Sequence, residues 1–369
     1  MSKPSVTVRQ FTLLVALFTI GSSILFVPLG AIQSAKQDAW ISILAGMGGS
    51  LAVIWLYAAL ARAEPRLTFV EMARKRLGPW LGTAVSLLFI FVSFAGGACS
   101  NLFYVGSFVA TQIMPETPIV ALNCLFAVAV VAGLRLGLGT LARSTEVLFI
   151  FFAVLFVLMV LFVIPEMKGA KLRPVMVSGF LPIVKGVLSY MSYSSFPVIV
   201  MLMVIPSTAM EPKRVWKAFW QGNLLGGMFL FTLTVVCISV LGAEMTGQLS
   251  YPNYVLAQKI NIGSFITRIE VFMATIWMIS LFIKLNLYFY ASLKGLGQLL
   301  RLRDDSILIY PLGVLMVVWS LIIYPDTVYQ AKWDENTWPP AIFTVGLIVP
   351  LIVLISSALA KKKAGMRPG

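Results

Sequence analysis

Ser189-Tyr190-Met191-Ser192-Tyr193-Ser194-Ser195-Phe196-Pro197 stands in the middle of an apolar segment running from about residue 181 to 204. Six of the nine residues carry hydroxyls, and a proline closes the run. Proline has no N–H for the helical ladder, and serine hydroxyls compete for its acceptors. A segment of this length otherwise reads as a membrane-spanning helix, which needs about 20 apolar residues. Unpaired backbone groups are not tolerated in contact with lipid, only where they line a cavity. The nine residues therefore predict a membrane helix that unwinds at mid-span beside a wet space.

The rest of the chain agrees. Of 369 residues, 59% are apolar and 11% are charged, against about 25% charge in a soluble domain. Ten apolar segments lie at about 10–33, 38–61, 80–112, 117–135, 140–164, 181–204, 215–243, 264–292, 306–324 and 339–360. Their length and lack of alternation predict helices, not barrel strands. Lys3 and Arg9 precede the first segment, but it is long for a signal-peptide core and lacks an A-x-A cleavage site, so it is read as a mature helix. The expectation is an all-α integral membrane protein of about ten transmembrane helices, one domain over residues 1–369. With both termini cytoplasmic, 19 cations fall inside and 7 outside, with Lys185 and Lys284 within segments. The net charge of +14 is thus a topology signal with some attraction for lipid headgroups, not evidence of a nucleic-acid partner.

No enzyme chemistry is legible. The chain has no histidine, and Cys99, Cys124 and Cys237 have no CxxC spacing. No nucleophile elbow, phosphate loop or dinucleotide fingerprint appears in a suitable context. No cofactor and no metal site are expected.

A second break matches the first. Ile20-Gly21-Ser22-Ser23 lies mid-way along segment one, and Pro28 follows. Segments one and six each open a five-helix half. Five is odd, so the halves, about 10–164 and 181–324 with the last helix at 339–360, run inverted to each other. Paired breaks in inverted halves point to a midplane binding site. Freed N–H groups can hold a carboxylate there, and freed carbonyls an ammonium. Segment three adds Asn101 and Tyr104, with Gly96 and Gly97 read as packing glycines. Ionisable residues within spans are functional suspects. Lys284 is the foremost: its ammonium either replaces a bound cation or pairs with unwound carbonyls, unless its stem snorkels to the interface. Glu146 reads as an (i, i+3) partner of Arg143, and Arg268 with Glu270 as an interfacial anchor or gate. Glu244 and Pro252-Asn253-Tyr254 fall in an external loop of about twenty residues containing a short surface helix.

The opening QFTLLVALFTIGSSILFVP, together with YPNYVLAQKINIGSFITRIEVFMATIWMISLFIKLNLYFYASLKGLGQLL, resembles the B subunit of bacterial spore germinant receptors. Its most specific part is R-x-E followed by Trp and then Lys, here Arg268, Glu270, Trp277 and Lys284. The resemblance implies ten membrane helices with a LeuT-like core, within the amino acid–polyamine–organocation transporter superfamily. It implies a nutrient sensor of the spore inner membrane, acting with an A subunit and a lipoprotein C subunit. The small-molecule germinant, an amino acid in this reading, would sit against Gly21, Ser22, Ser23, Tyr104, Ser192, Tyr193, Ser194, Ser195 and Thr275. The alternative is an amino-acid transporter, proton-coupled or exchanging, that uses the same pocket by alternating access. Few buried acids are available to couple protons, Glu146 being the one within reach. A purely structural scaffold is disfavoured by the paired breaks.

Overall fold

The computed structural model describes residues 6–176, 179–208, 212–259 and 269–365. Helix α1 (Val8–Ile20) starts at a capping box, in which Thr7 and Gln10 satisfy each other's backbone N–H. Thirteen residues later it stops. Gly21 adopts φ 22°, ψ −121°, a conformation that side-chain-bearing residues rarely enter. A second thirteen-residue helix, α2 (Ser23–Ala35), resumes with the Leu25 N–H on the Ser22 carbonyl. The first span is therefore two half-helices joined at Gly21–Ser22.

The chain turns through Lys36–Asp38 into α3 (Ala39–Ala63). The third span is one rod, α4 (Phe69–Phe91), a π-helical stretch (Val92–Cys99) and α5 (Ser100–Gln112), kinked at Gly78–Pro79. It begins well before the expected residue 80. A second capping box, Thr68 with Glu71, lets the helix start in a charged stretch that hydropathy reads as loop. Then come α6 (Ile119–Arg135) and α7 (Leu138–Val163).

The sixth span breaks as well. Helix α8 (Phe180–Ser194) ends at Ser195, and Phe196–Met203 continues as a 3-10 helix. Runs of 3-10 helix beyond three or four residues are uncommon; this one has eight and is buried throughout. Helix α9 (Pro212–Leu241) leads to two short helices, α10 (Ala243–Gln248) and α11 (Pro252–Gln258). The latter lies inside the protein, not on its surface, with Asn253 fully buried. Helix α12 (Glu270–Leu299) is the eighth span and α13 (Ile309–Ile322) the ninth. The tenth is assembled from α14 (Thr327–Lys332), a π stretch (Trp333–Thr337), α15 (Trp338–Phe343), a second π stretch and α16 (Val349–Gly365).

Among the described residues, eight helices are long and apolar enough to cross a membrane, and Val8–Ile20 and Ile119–Arg135 are shorter apolar ones. Leu125, Val128, Phe151, Val314 and Leu359 point outward, as a lipid-facing surface requires. The protein is a multi-pass, all-α membrane protein. Its first, second, sixth and seventh spans pack together: α1 on α9, α2 on α8, α3 on both. The third, fourth, eighth and ninth form a second group, with α5 and α13 on α6, and α12 on α4. This is a LeuT-like arrangement.

Candidate functional site

The two breaks meet at one carbonyl. In a continuous helix the Tyr193 carbonyl would accept from residue 197, but that residue is Pro197, which has no N–H. Two side chains from other spans replace the missing donor. Ser23 Oγ, at the start of α2, donates to the Tyr193 oxygen at 2.7 Å, and Lys284 Nζ of α12 donates to it at 2.9 Å. Lys284 Nζ also donates to Ser23 Oγ at 3.2 Å and lies 5.4 Å from the centroid of the Phe18 ring. The side chain is 1% exposed and does not snorkel. It thus follows the sequence alternative in which the ammonium pairs with an unwound carbonyl.

Neighbouring carbonyls at the break are served in the same way. Trp338 Nε1 donates to the Ser192 oxygen at 3.1 Å, and the Tyr57 hydroxyl to the Phe196 oxygen at 2.8 Å. Four spans thereby fasten the interrupted sixth one. Beside the junction is a cavity of about 10 Å³, room for about one water. Ser22, Asn101, Tyr104, Tyr193 and Lys284 line it, with Gly96, Tyr288 and Trp338. Asn101 donates to the Gly97 carbonyl, and its Oδ1 is buried with no partner among the described residues. Phe26 packs against two of the lining rings, stacked at 4.9 Å on Tyr193 and tilted at 4.8 Å on Tyr104. Beyond it, the Tyr104 hydroxyl donates to Asp334 Oδ1 at 2.6 Å and the Tyr193 hydroxyl to the Asp334 carbonyl at 2.9 Å.

Gly21, Ser22, Ser23, Tyr104, Tyr193 and Lys284 are thus brought together. The other serines contribute less. Ser192 and Ser194 hydroxyls turn back onto the Leu188 and Tyr190 carbonyls, and Ser195 Oγ is buried without a partner among the described residues. Thr275 does not join the site. Nine residues at 100° each put it on the face of α12 opposite Lys284, where its hydroxyl bonds the Val271 carbonyl at 2.8 Å. Glu270 is the half-buried first residue of α12, about 21 Å along the axis from Lys284. Arg268 lies outside the described residues. Glu146 does not pair with Arg143. It accepts from Gln10 Nε2 at 3.2 Å and sits 3.9 Å from Arg9, because α7 packs on the start of α1. Arg143 bonds Thr140 instead. Gly96 and Gly97 are packing glycines: a β-carbon there would run into the Trp338 and Tyr288 rings.

Sequence reasoning missed Asp334 and Trp338, which lie in a stretch read as loop, and Tyr324, the last residue of the ninth expected segment, whose hydroxyl donates to Ser100 Oγ at 2.9 Å. The available signal was a carboxylate flanked by Trp333 and Trp338.

An α-helical bundle broken in its first and sixth spans around a polar cavity is the fold of the LeuT-like transporters, and comparison with solved structures bears this out. The chain superposes on Mhp1, a nucleobase-cation-symport-1 family transporter in a closed conformation with bromovinylhydantoin bound. The TM-score is 0.70 at 12% identity, covering 97% of this chain and 93% of that one. A Na+-coupled sialic acid symporter in a substrate-bound outward-open state gives 0.63 at 10% identity, covering 100% and 91%. In sequence, the chain is 28% identical over 366 residues to spore germination protein KB of Bacillus subtilis, covering 98% of this chain and 97% of the relative. To spore germination protein YndE of the same organism it is 27% identical over 361 residues, covering 97% of each. The family described as spore germination protein matches residues 5–328, and the chain belongs to that family.

Proposed function

We propose that this protein is the nutrient-sensing B-type subunit of a spore germinant receptor, binding a small molecule in the cavity between the first, third, sixth and eighth spans. The observation that carries the reading is the junction itself: two broken spans in a germination-family chain, held together by a buried ammonium beside an acceptor that has no partner among the described residues. An amino-acid ligand fits this chemistry, and taking it in requires the closed cavity of about 10 Å³ to widen. Its carboxylate suits Lys284 and the free N–H groups at the start of α2, and its ammonium suits Asn101 Oδ1 and the faces of Tyr104 and Tyr193. Gly21, Ser22, Ser23, Tyr104 and Tyr193 form the binding set; Lys284 and Asp334 bound it at either end.

Lys284 occupies the place where a free cation would otherwise bridge the broken spans, so a fixed charge holds them. The ligand shifts the helix arrangement only by its differential affinity for the two states, and the shift passes to A and C subunits in the spore inner membrane. The loop charges favour cytoplasmic termini, and the two inverted halves are read as about residues 10–164 and 181–324, with the last helix at about 339–360 completing the second. No catalytic role is assigned.

The fold shared with symporters favours one second reading, amino-acid transport by alternating access. Proteoliposomes holding this chain alone separate the two. Binding of labelled amino acids without accumulation, and co-purification of A and C subunits from spores, support the sensor; concentrative uptake supports the transporter.

A further inference from the structure

Pro28 does to the first span what Pro197 does to the sixth. Four residues before it, the Ile24 carbonyl of α2 has no helical donor, because Pro28 has no N–H. That carbonyl is served from outside the span: Asn253 Nδ2, on α11, donates to it. The other end of the same amide accepts from the Cys237 thiol of α9 at 2.9 Å. A carbonyl on one side and a thiol on the other fix which end of the amide points where. Asn253 is completely buried, so an amide with nothing to bond would be costly here.

The hairpin that carries Asn253 reaches further. Gln33, near the end of α2, donates to the Gly247 carbonyl of α10 at 3.0 Å. Tyr254, next to Asn253, packs edge-on against Phe108 of the third span at 5.2 Å, and Phe108 in turn against Trp277 of α12 at 4.5 Å. Helix α11 is thus wedged between α2 and the ends of the third and eighth spans, on the face that the proposed orientation puts outside.

We propose that Asn253 is a positioning residue: by completing the carbonyl that Pro28 leaves without a donor, it holds α2, and with it Phe26 and Ser22, in the closed position over the cavity. Phe26 lies two residues beyond Ile24 and packs on Tyr104 and Tyr193, two of the rings that line the cavity. Letting α2 swing away from α11 therefore uncovers the site. The inference concerns access to the cavity, and it holds whether the solute is sensed or carried.

The interaction carries its own control. Replacing Pro28 with alanine gives α2 a donor of its own, so Asn253 becomes dispensable. The test uses the full chain in proteoliposomes with Ser22→Cys as reporter and the exposed Cys124 replaced by serine. A membrane-impermeant methanethiosulfonate reagent supplies the labelling rate. Asn253→Ala is expected to speed labelling about tenfold, the scale of one lost buried hydrogen bond. Pro28→Ala satisfies the Ile24 carbonyl whether or not α2 touches α11, so it weakens the same hold and is expected to speed labelling too, and Asn253→Ala added to it changes the rate by no more than about twofold. Asn253→Asp, of equal size but with no amide donor, is expected to behave like Asn253→Ala and serves where the alanine variant does not reach the membrane. The inference is overturned if both Asn253 variants label at the native rate. It is equally overturned if Asn253 replacement speeds labelling as much in the Pro28→Ala chain as in the native one.

Discussion

The side chain of Lys284 lies across the α-carbon of Gly21, so close that a β-carbon there would stand 2.8 Å from Lys284 Cβ. The bend of the first span and the placement of the buried ammonium are therefore one arrangement. Only a residue without a side chain both tolerates φ 22° and clears the lysine stem.

Gly21→Ala is expected to destabilise the protein by about 1–3 kcal/mol from backbone strain alone, and to displace Lys284. Thermal unfolding in detergent should show the loss, with labelled-solute binding reduced more than tenfold. Lys284→Ala in the same chain relieves the collision but not the strain, so stability should recover only in part. Native stability for Gly21→Ala would contradict this geometry.

Lys284→Met keeps the apolar stem and removes the donors. The Tyr193 carbonyl retains Ser23, so the expected cost is about 1–3 kcal/mol and the chain still folds. Solute binding is expected to vanish. Lys284→Arg should not restore it, because a rigid planar fork cannot take the place of a compact ammonium.

Tyr104 and Asp334 form a latch across the far end of the cavity. A cycle of Tyr104→Phe, Asp334→Leu and the double variant should give a coupling of about 1–3 kcal/mol in unfolding free energy. Asp334→Asn keeps an acceptor for the tyrosine hydroxyl and should lose less. Additive effects would show that the 2.6 Å contact does not tie the tenth span to the third.

Glu64, in the loop between α3 and α4, is held by Lys75 at 2.9 Å and by Arg76. Burial pushes its carboxyl up, but the hydrogen bonds and charges of Lys75 and Arg76 outweigh that and leave it below its ordinary value. A lowered folded value stabilises above the unfolded value of about 4.3 and loses that contribution as pH falls through the folded one. The melting-temperature gap between native protein and Glu64→Gln should be full at neutral pH and narrow steadily below about pH 4.3. A gap that widens on acidification would reverse the sign.

Both breaks could be read from residue type alone, since Gly-Ser-Ser and a hydroxyl-rich run before proline are poor helix in hydrocarbon. So could the importance of Lys284, whose burial needs a partner. Side-chain direction could not. Thr275 shares a span with Lys284, and nine residues at 100° each put the two on opposite faces; residue type alone does not say which of those faces turns inward. Glu146 illustrates the same limit: a local partner at i−3 was plausible, yet packing of α7 on α1 offered Gln10 and Arg9 instead. Asp334 was hidden because a π-helical stretch carries charged residues into a region that hydropathy assigns to loop. Asn253 and Ile24 were legible in principle. A proline inside a helix always leaves the carbonyl four residues earlier without its donor, and a buried amide elsewhere is its natural complement.

The tightly wound half of the sixth span has a mechanical side. Eight residues at about 2.0 Å per residue reach about 16 Å, whereas an α-helix of the same residues reaches about 12 Å. Phe196–Met203 is thus an extended strut. Rewinding it to the wider coil would shorten it by about 4 Å, drawing whatever is joined beyond Met203 towards the middle of the bilayer by about three quarters of a helical pitch, without a single covalent bond being broken.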